Sequence, residues 1–355
     1  MRFGFLKGKR VLLSGHTGFK GGWLAEILLG LGAEVIGYSL APNTKPSLHA
    51  LLNLTERTDE HIKDIRDLSQ LETVFKKEKP EILFHLAAQP LVRESYEQPI
   101  ETFSANVMGT ANVLECIRKT QSVKAAVIVT TDKVYENKNI DVPYKETDEL
   151  GGYDPYSSSK TCAEFVTRSY IRSYFNPLEG MPKTLIATAR AGNVIGGGDW
   201  SKDRLVPDII RAVIERDEEV VLRNPEAVRP WQHVLDPVFG YISLAEKLYQ
   251  KDSSAVGAWN FAPDEQSFIT TEELTKKTIN ALGKGSYTVK REKGKHEMKL
   301  LKLDASKAKA SLGWKPRLGI DEGIAWTMEW YTAAYSNKNM EAITRKQIEK
   351  YMERM

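Results

Sequence analysis

Residues 10–22 read R-V-L-L-S-G-H-T-G-F-K-G-G. A short apolar run stops at glycine, and glycines recur at 15, 18 and 21 before a helical pattern that ends near Gly30. The apolar run bounded by glycine reads as a buried strand, and the segment after it as a helix. Glycines permit a tight turn and let backbone N–H groups close on an anion at a helix N-terminus. Gly15, His16, Thr17, Gly18, Phe19, Lys20 and Gly21 are therefore candidates for the pyrophosphate loop of a dinucleotide site. A strand, a glycine loop and a helix in this order open an α/β fold.

The rest of the first half repeats the alternation. E-V-I-G-Y-S-L (34–40), H-I-K-D-I (61–65), E-I-L-F-H-L-A-A (81–88), K-A-A-V-I-V-T-T (124–131) and T-L-I-A-T-A-R-A-G-N-V-I-G (184–196) read as further strands. Helical patterns lie between them, notably at 68–78 and 99–119. Apolar strands separated by helices predict a Rossmann-like, doubly wound parallel sheet covered on both faces. Beyond about residue 197 the pattern loosens into helices near 205–216, 236–250, 271–282 and 321–334 with Pro- and Gly-containing loops. The expectation is a dinucleotide-binding domain over 1–185. A smaller, mixed C-terminal substrate-binding region over 186–355 is interleaved with it.

Bulk composition narrows the partners. The chain has 355 residues, 41% of them hydrophobic and 27% charged. Fifty basic and 47 acidic residues give a net charge of +3, too balanced for a nucleic-acid or membrane-surface partner. No stretch approaches the roughly 18–20 apolar residues that span a bilayer. The N-terminus runs straight into a strand without a cleavage site, so no signal peptide is read. Cys116 and Cys162 are the only cysteines. Two cysteines make neither a disulfide framework nor a zinc site, which suits a reducing cytoplasm and an expectation of no bound metal.

Two stretches carry the chemistry. In P-Y-S-S-S-K (155–160), a spacing of four puts Tyr156 and Lys160 one helical turn apart on one face. Free tyrosine is a poor base near neutrality, and a neighbouring ammonium favours its phenolate. The second stretch is T-T-D-K (130–133), which closes a strand with a hydroxyl, an acid and a base. Successive strand residues point to opposite faces, so Asp132 and Lys133 reach one substrate only if the strand turns into a loop there.

The glycine loop, the Y-x-x-x-K pair and the hydroxyl at Thr131 together resemble the extended short-chain dehydrogenase/reductase family, over about residues 8–335. The resemblance implies a Thr131/Tyr156/Lys160 catalytic triad and NAD as cofactor, with Tyr156 and Lys160 also touching that cofactor. It places Asp64 and Ile65 at the adenine, Leu86, Ala87 and Ala88 beside the cofactor, and Asn106 in a structural segment next to it. The acid that usually holds the ribose is absent, since strand two ends Tyr38-Ser39-Leu40. No arginine stands there for a 2′-phosphate either, so NAD rests on the resemblance.

Longer stretches, including G-G-Y-D-P-Y-S-S-S-K and R-A-G-N-V-I-G-G-G-D-W, resemble the family's nucleotide-sugar dehydratases. This implies CDP-glucose as substrate, with Gln89, Arg190, Asn193, Arg204, Arg229 and His233 at the nucleotide sugar. Arginine's planar fork suits a diphosphate. It also implies oxidation at sugar carbon 4, loss of water across carbons 5 and 6, and return of hydride to carbon 6. Asp132 would be the general acid. Lys133 would be either a neutral base or a charged stabiliser of the enolate. A 4-epimerase or a reductase would share the triad but has no use for Asp132 and Lys133. A non-catalytic NAD-sensing protein would need no triad. Family members pair through two helices, here 99–119 and 156–174, so a homodimer or homotetramer is expected.

Overall fold

The structure, a computed structural model, describes residues 3–291 and 300–355. Its core is a seven-stranded sheet in which every neighbouring pair is parallel. The strands are β1 (Arg10–Ser14), β2 (Glu34–Ser39), β3 (Asp59–Ile62), β4 (Ile82–His85), β5 (Ala125–Val129), β6 (Leu185–Ala191) and β7 (Gly257–Phe261). Their spatial order is β7-β6-β5-β4-β1-β2-β3. Six were expected from the sequence. The seventh, G-A-W-N-F, is short and half-buried at its start, and gives neither alternation nor a long apolar run.

Helices cover both faces. On one side lie α2 (Leu68–Glu78), α3 (Gly109–Thr120) and α4 (Pro155–Tyr174), which bury Leu71, Phe75, Val113 and Ile117 against Leu12, Leu83 and Ala126 of the strands. On the other lie α1 (Phe19–Gly30), α5 (Leu235–Tyr249), α6 (Ile320–Tyr335) and α7 (Met340–Met352). Residues Gly21–Leu28 of α1 are all buried, as its nearly all-apolar sequence requires. The exception proves instructive: Glu26 is buried but paired with Arg57 and Arg345, so the last helix is clamped to the first.

The second half of the chain is woven into the first. β7 and α5 complete the sheet and one of its layers, while short pairs build a mixed region beside it. In these pairs Val194–Ile195 lies on Gln232–His233, Val228–Pro230 on Phe268–Thr270, and Val220–Leu222 on Tyr287–Val289. The strand order reverses between β1 and β4. In such sheets the ligand crevice opens beyond the carboxyl ends of the strands at that point.

Candidate active site

A cavity of about 770 Å³ opens there. The glycine loop forms one wall, and its shape depends on glycine at two positions. Gly15 adopts φ +80°, and a Cβ on it would stand 2.7 Å from the Ala87 nitrogen. A Cβ on Gly21 would stand 2.0 Å from the Gly15 carbonyl, so only glycine lets α1 start this close to β1. Thr17, Gly18, Phe19 and Lys20 line the cavity with them. Burial lowers the Lys20 ammonium to about 7, with Arg204 adding to the effect and Asp132 opposing it. His16 departs from expectation. Its ring is fully buried over Gly37 of β2, and Nε2 donates to Glu60, which also accepts from His49. It braces the loop from behind rather than facing a ligand.

The remaining cofactor candidates follow the strand ends. Asp64 and Ile65 after β3 and Leu86, Ala87 and Ala88 after β4 all line the cavity. Asp64 is held by Arg66, whose hydrogen bond keeps the carboxyl below its usual range. At the end of β2, Ser39 exchanges a hydrogen bond with Thr17 at 2.8 Å, and no acid takes part. Asn106 sits in a π-helical segment, Ser104–Met108, and is buried away from the wall. Its Oδ1 accepts from the Gln89 backbone at 2.8 Å, and its Nδ2 donates to Ser159 at 2.8 Å. It thus ties the β4 loop to α4 and keeps Gln89 in the wall. This glycine-floored groove, running to Tyr156 and Lys160, fits a dinucleotide.

The sequence D-P-Y sets where α4 begins. Asp154 caps the helix by accepting from the Ser157 nitrogen at 2.9 Å, and Pro155 occupies its first turn. Tyr156 is thereby placed at the cavity wall and Lys160 one turn deeper. Burial pushes the Tyr156 phenol up to about 12, while a hydrogen bond with Thr131 and the charge of Arg204 pull it down. The sequence assigned that downward pull to Lys160. Lys160 itself donates to the Val129 carbonyl at 3.2 Å, and burial lowers it to about 8.

β5 does turn at T-T-D-K, into a 3-10 turn over Asp132–Val134 capped by Thr131. Thr131 Oγ1 donates to Asp132 Oδ1 at 3.0 Å, and Lys133 Nζ stands 3.2 Å from the same oxygen. Asp132 is buried, and its Oδ2 has no hydrogen-bond partner among the described residues. Gly192 leaves room for it, since a Cβ there would lie 3.2 Å from Oδ2. Thr131, Asp132, Lys133, Tyr156 and Lys160 all line the one cavity.

The substrate candidates divide. Gln89, Asn193, Arg204 and Arg229 line the cavity. Arg190 does not. It is buried in the core, donating to both Glu164 oxygens at 2.8 and 2.9 Å and to the Tyr135 hydroxyl at 2.8 Å. Thr130 and Thr188 complete the shell around Glu164. Removing one partner of such a buried pair costs about 3–5 kcal/mol, so Arg190 is a structural residue. His233 is likewise buried between Trp23 and Trp326, and burial lowers it to about 3. Sequence spacing cannot separate a buried arginine from a cavity arginine on neighbouring strands. The reading also missed Arg93, Asp203, Asp208 and Arg223, which line the same cavity.

Known proteins bear on this site. The family model described as GDP-mannose 4,6 dehydratase matches residues 12–327. A CDP-glucose 4,6-dehydratase from Salmonella typhimurium is 46% identical over 350 residues, covering 98% of this chain and 97% of that protein. A dTDP-glucose 4,6-dehydratase from Streptomyces venezuelae, solved with NAD and TYD, superposes with a TM-score of 0.78 at 24% identity, covering 93% of this chain and 98% of that one. A UDP-glucose 4-epimerase from Thermotoga maritima, solved with UDP-glucose, gives 0.78 at 25% identity, covering 92% and 99%. With its parallel sheet, glycine loop and Thr131/Tyr156/Lys160 set, the chain belongs to the GDP-mannose 4,6-dehydratase family of extended short-chain dehydrogenase/reductases.

Proposed function

We propose that the chain is an NAD-dependent hydro-lyase that converts CDP-glucose to CDP-4-dehydro-6-deoxyglucose, in the making of deoxysugars for surface polysaccharide. The observation that carries this reading is the Asp132–Lys133 pair, at 3.2 Å, within the same cavity as Tyr156. An epimerase needs only the second of these. The identity of 46% to a CDP-glucose 4,6-dehydratase supports the choice of nucleotide.

Gly15, Gly18, Asp64, Ile65, Tyr156 and Lys160 would hold NAD. When bound, it supplies a hydride acceptor at carbon 4 and the same hydride for carbon 6. Tyr156 takes the proton of the carbon 4 hydroxyl, aided by Thr131 and Arg204, which favour its phenolate. The resulting ketone acidifies the hydrogen on carbon 5. Lys133 takes that proton, and Asp132 gives one to the departing hydroxyl through its unpartnered Oδ2. Asn193 and Arg229 line the path a diphosphate would take.

Pairing of two copies is part of the same reading. Ile100, Met108, Phe165 and Tyr174 are exposed on the segments expected to form a four-helix bundle. A homodimer or homotetramer covers them; a monomer in sedimentation at micromolar concentration would contradict this. No helix among the described residues is long and apolar enough to cross a membrane, and two free cysteines suit the cytoplasm.

The test is mass spectrometry of products from CDP-, dTDP-, UDP- and GDP-glucose with NAD present. The expected result is a product lighter by one water from CDP-glucose. Epimerised sugar of unchanged mass, or a stronger reaction with another nucleotide, would overturn the assignment.

A further inference from the structure

The substrate side of the cavity carries a chain of alternating charges that catalysis does not use. Arg204 belongs to the sugar end, because its charge acts on both Tyr156 and Lys20. Asp208 lies one turn further along the same helical segment, Leu205–Ile210. Its charged neighbours are Arg211, Arg223 and Asp203, none of them in the catalytic set. Arg223 follows the strand Val220–Leu222, across the cavity wall from Asp208.

Both groups are held from outside. Arg223 Nη1 donates to Asp203 Oδ1 at 2.9 Å, and Asp208 Oδ1 accepts from Arg211. Between them, Arg223 Nη2 and Asp208 Oδ2 stand 3.8 Å apart, too far for a hydrogen bond. The wall therefore presents a guanidinium edge beside a carboxylate edge, fixed by partners but not closed on each other.

We propose that Arg223 and Asp208 read the base of the nucleotide sugar, selecting cytosine. The inference rests on the CDP-glucose reading and gives it a physical cause. Cytosine presents two acceptors, O2 and N3, next to a donor, the exocyclic amine. Arg223 matches the acceptors, and Asp208 accepts from the amine. Uracil and thymine reverse two of the three positions, with a donor at N3 and an acceptor at O4. Their O4 would face the carboxylate and their N3–H the guanidinium, leaving charged groups unpaired.

Calorimetric binding of CDP and UDP to the full chain tests this, in wild type and in Asp208→Asn and Arg223→Met. Wild type is expected to prefer CDP. Each substitution is expected to shrink the CDP-to-UDP affinity ratio by about tenfold or more. Asp208→Asn is expected to bind UDP more tightly than wild type does, because an amide donates to O4. A merely structural role would weaken both ligands alike. Side chains 28% and 36% exposed tolerate both changes, and thermal midpoints verify the folds. Ratios unchanged within about twofold, or equal loss of both ligands, would overturn the inference. If wild type turns over CDP-glucose while the ratios stay unchanged, only the base assignment falls. If the substitutions shrink the ratio as expected but wild type makes no dehydrated product, the base assignment stands and the proposed reaction falls.

Discussion

Turnover of CDP-glucose by Tyr156→Phe is expected to fall about a thousandfold, the scale of a lost general base. The substitution removes one oxygen and leaves the ring in place, so folding and nucleotide affinity should persist. The phenol is pushed up to about 12 by burial and pulled down by Thr131 and Arg204. Its base form therefore gains population as pH rises, and the wild-type rate should climb in that direction. The variant should lose both the rate and this dependence. Rapid mixing should show no reduced nicotinamide, since the first oxidation needs the hydroxyl proton removed. A variant that still oxidises carbon 4 at the wild-type rate would remove Tyr156 from the mechanism.

The Asp132→Asn variant is expected to divide the reaction rather than abolish it. Its carbonyl can still accept from Thr131 and Lys133, which hold Oδ1 at 3.0 and 3.2 Å. What it lacks is the acidic proton at Oδ2. Loss of water should slow about a hundred- to a thousandfold, while oxidation at carbon 4 continues. Reduced nicotinamide should then accumulate on the enzyme, and the carbon 5 hydrogen should still exchange with solvent deuterium. Unchanged dehydration would show that Asp132 is not the acid.

The sequence was most legible where local chemistry alone fixes the backbone. The glycine loop and the helix start at Pro155 each place a candidate group through turn and cap geometry, and both appear where the pattern puts them. Asp132 and Lys133 were readable as an acid and a base, and the turn that brings them together is a short-range feature. Legibility failed where burial decides the role. Arg190 and His233 stand in stretches that resemble substrate loops, yet both side chains point into the core, and His16 turns behind the loop it belongs to. Adjacent residues on a buried strand face either core or cavity, and no spacing reveals which. Lys160 lies at the right helical spacing and donates to the Val129 carbonyl, while Arg204, 48 positions along the chain from Tyr156, adds a charge that no spacing announces. β7 escaped notice because a five-residue strand with glycine and asparagine carries little periodic signal.

The central claim is that one cavity moves a hydride within a single sugar, from carbon 4 to carbon 6, while Asp132 and Lys133 remove water between. CDP-glucose carrying deuterium at carbon 4 tests it most directly. The account predicts a dehydrated product with the deuterium in its carbon 6 methyl group. Deuterium released to solvent, or retained at carbon 4, would contradict it.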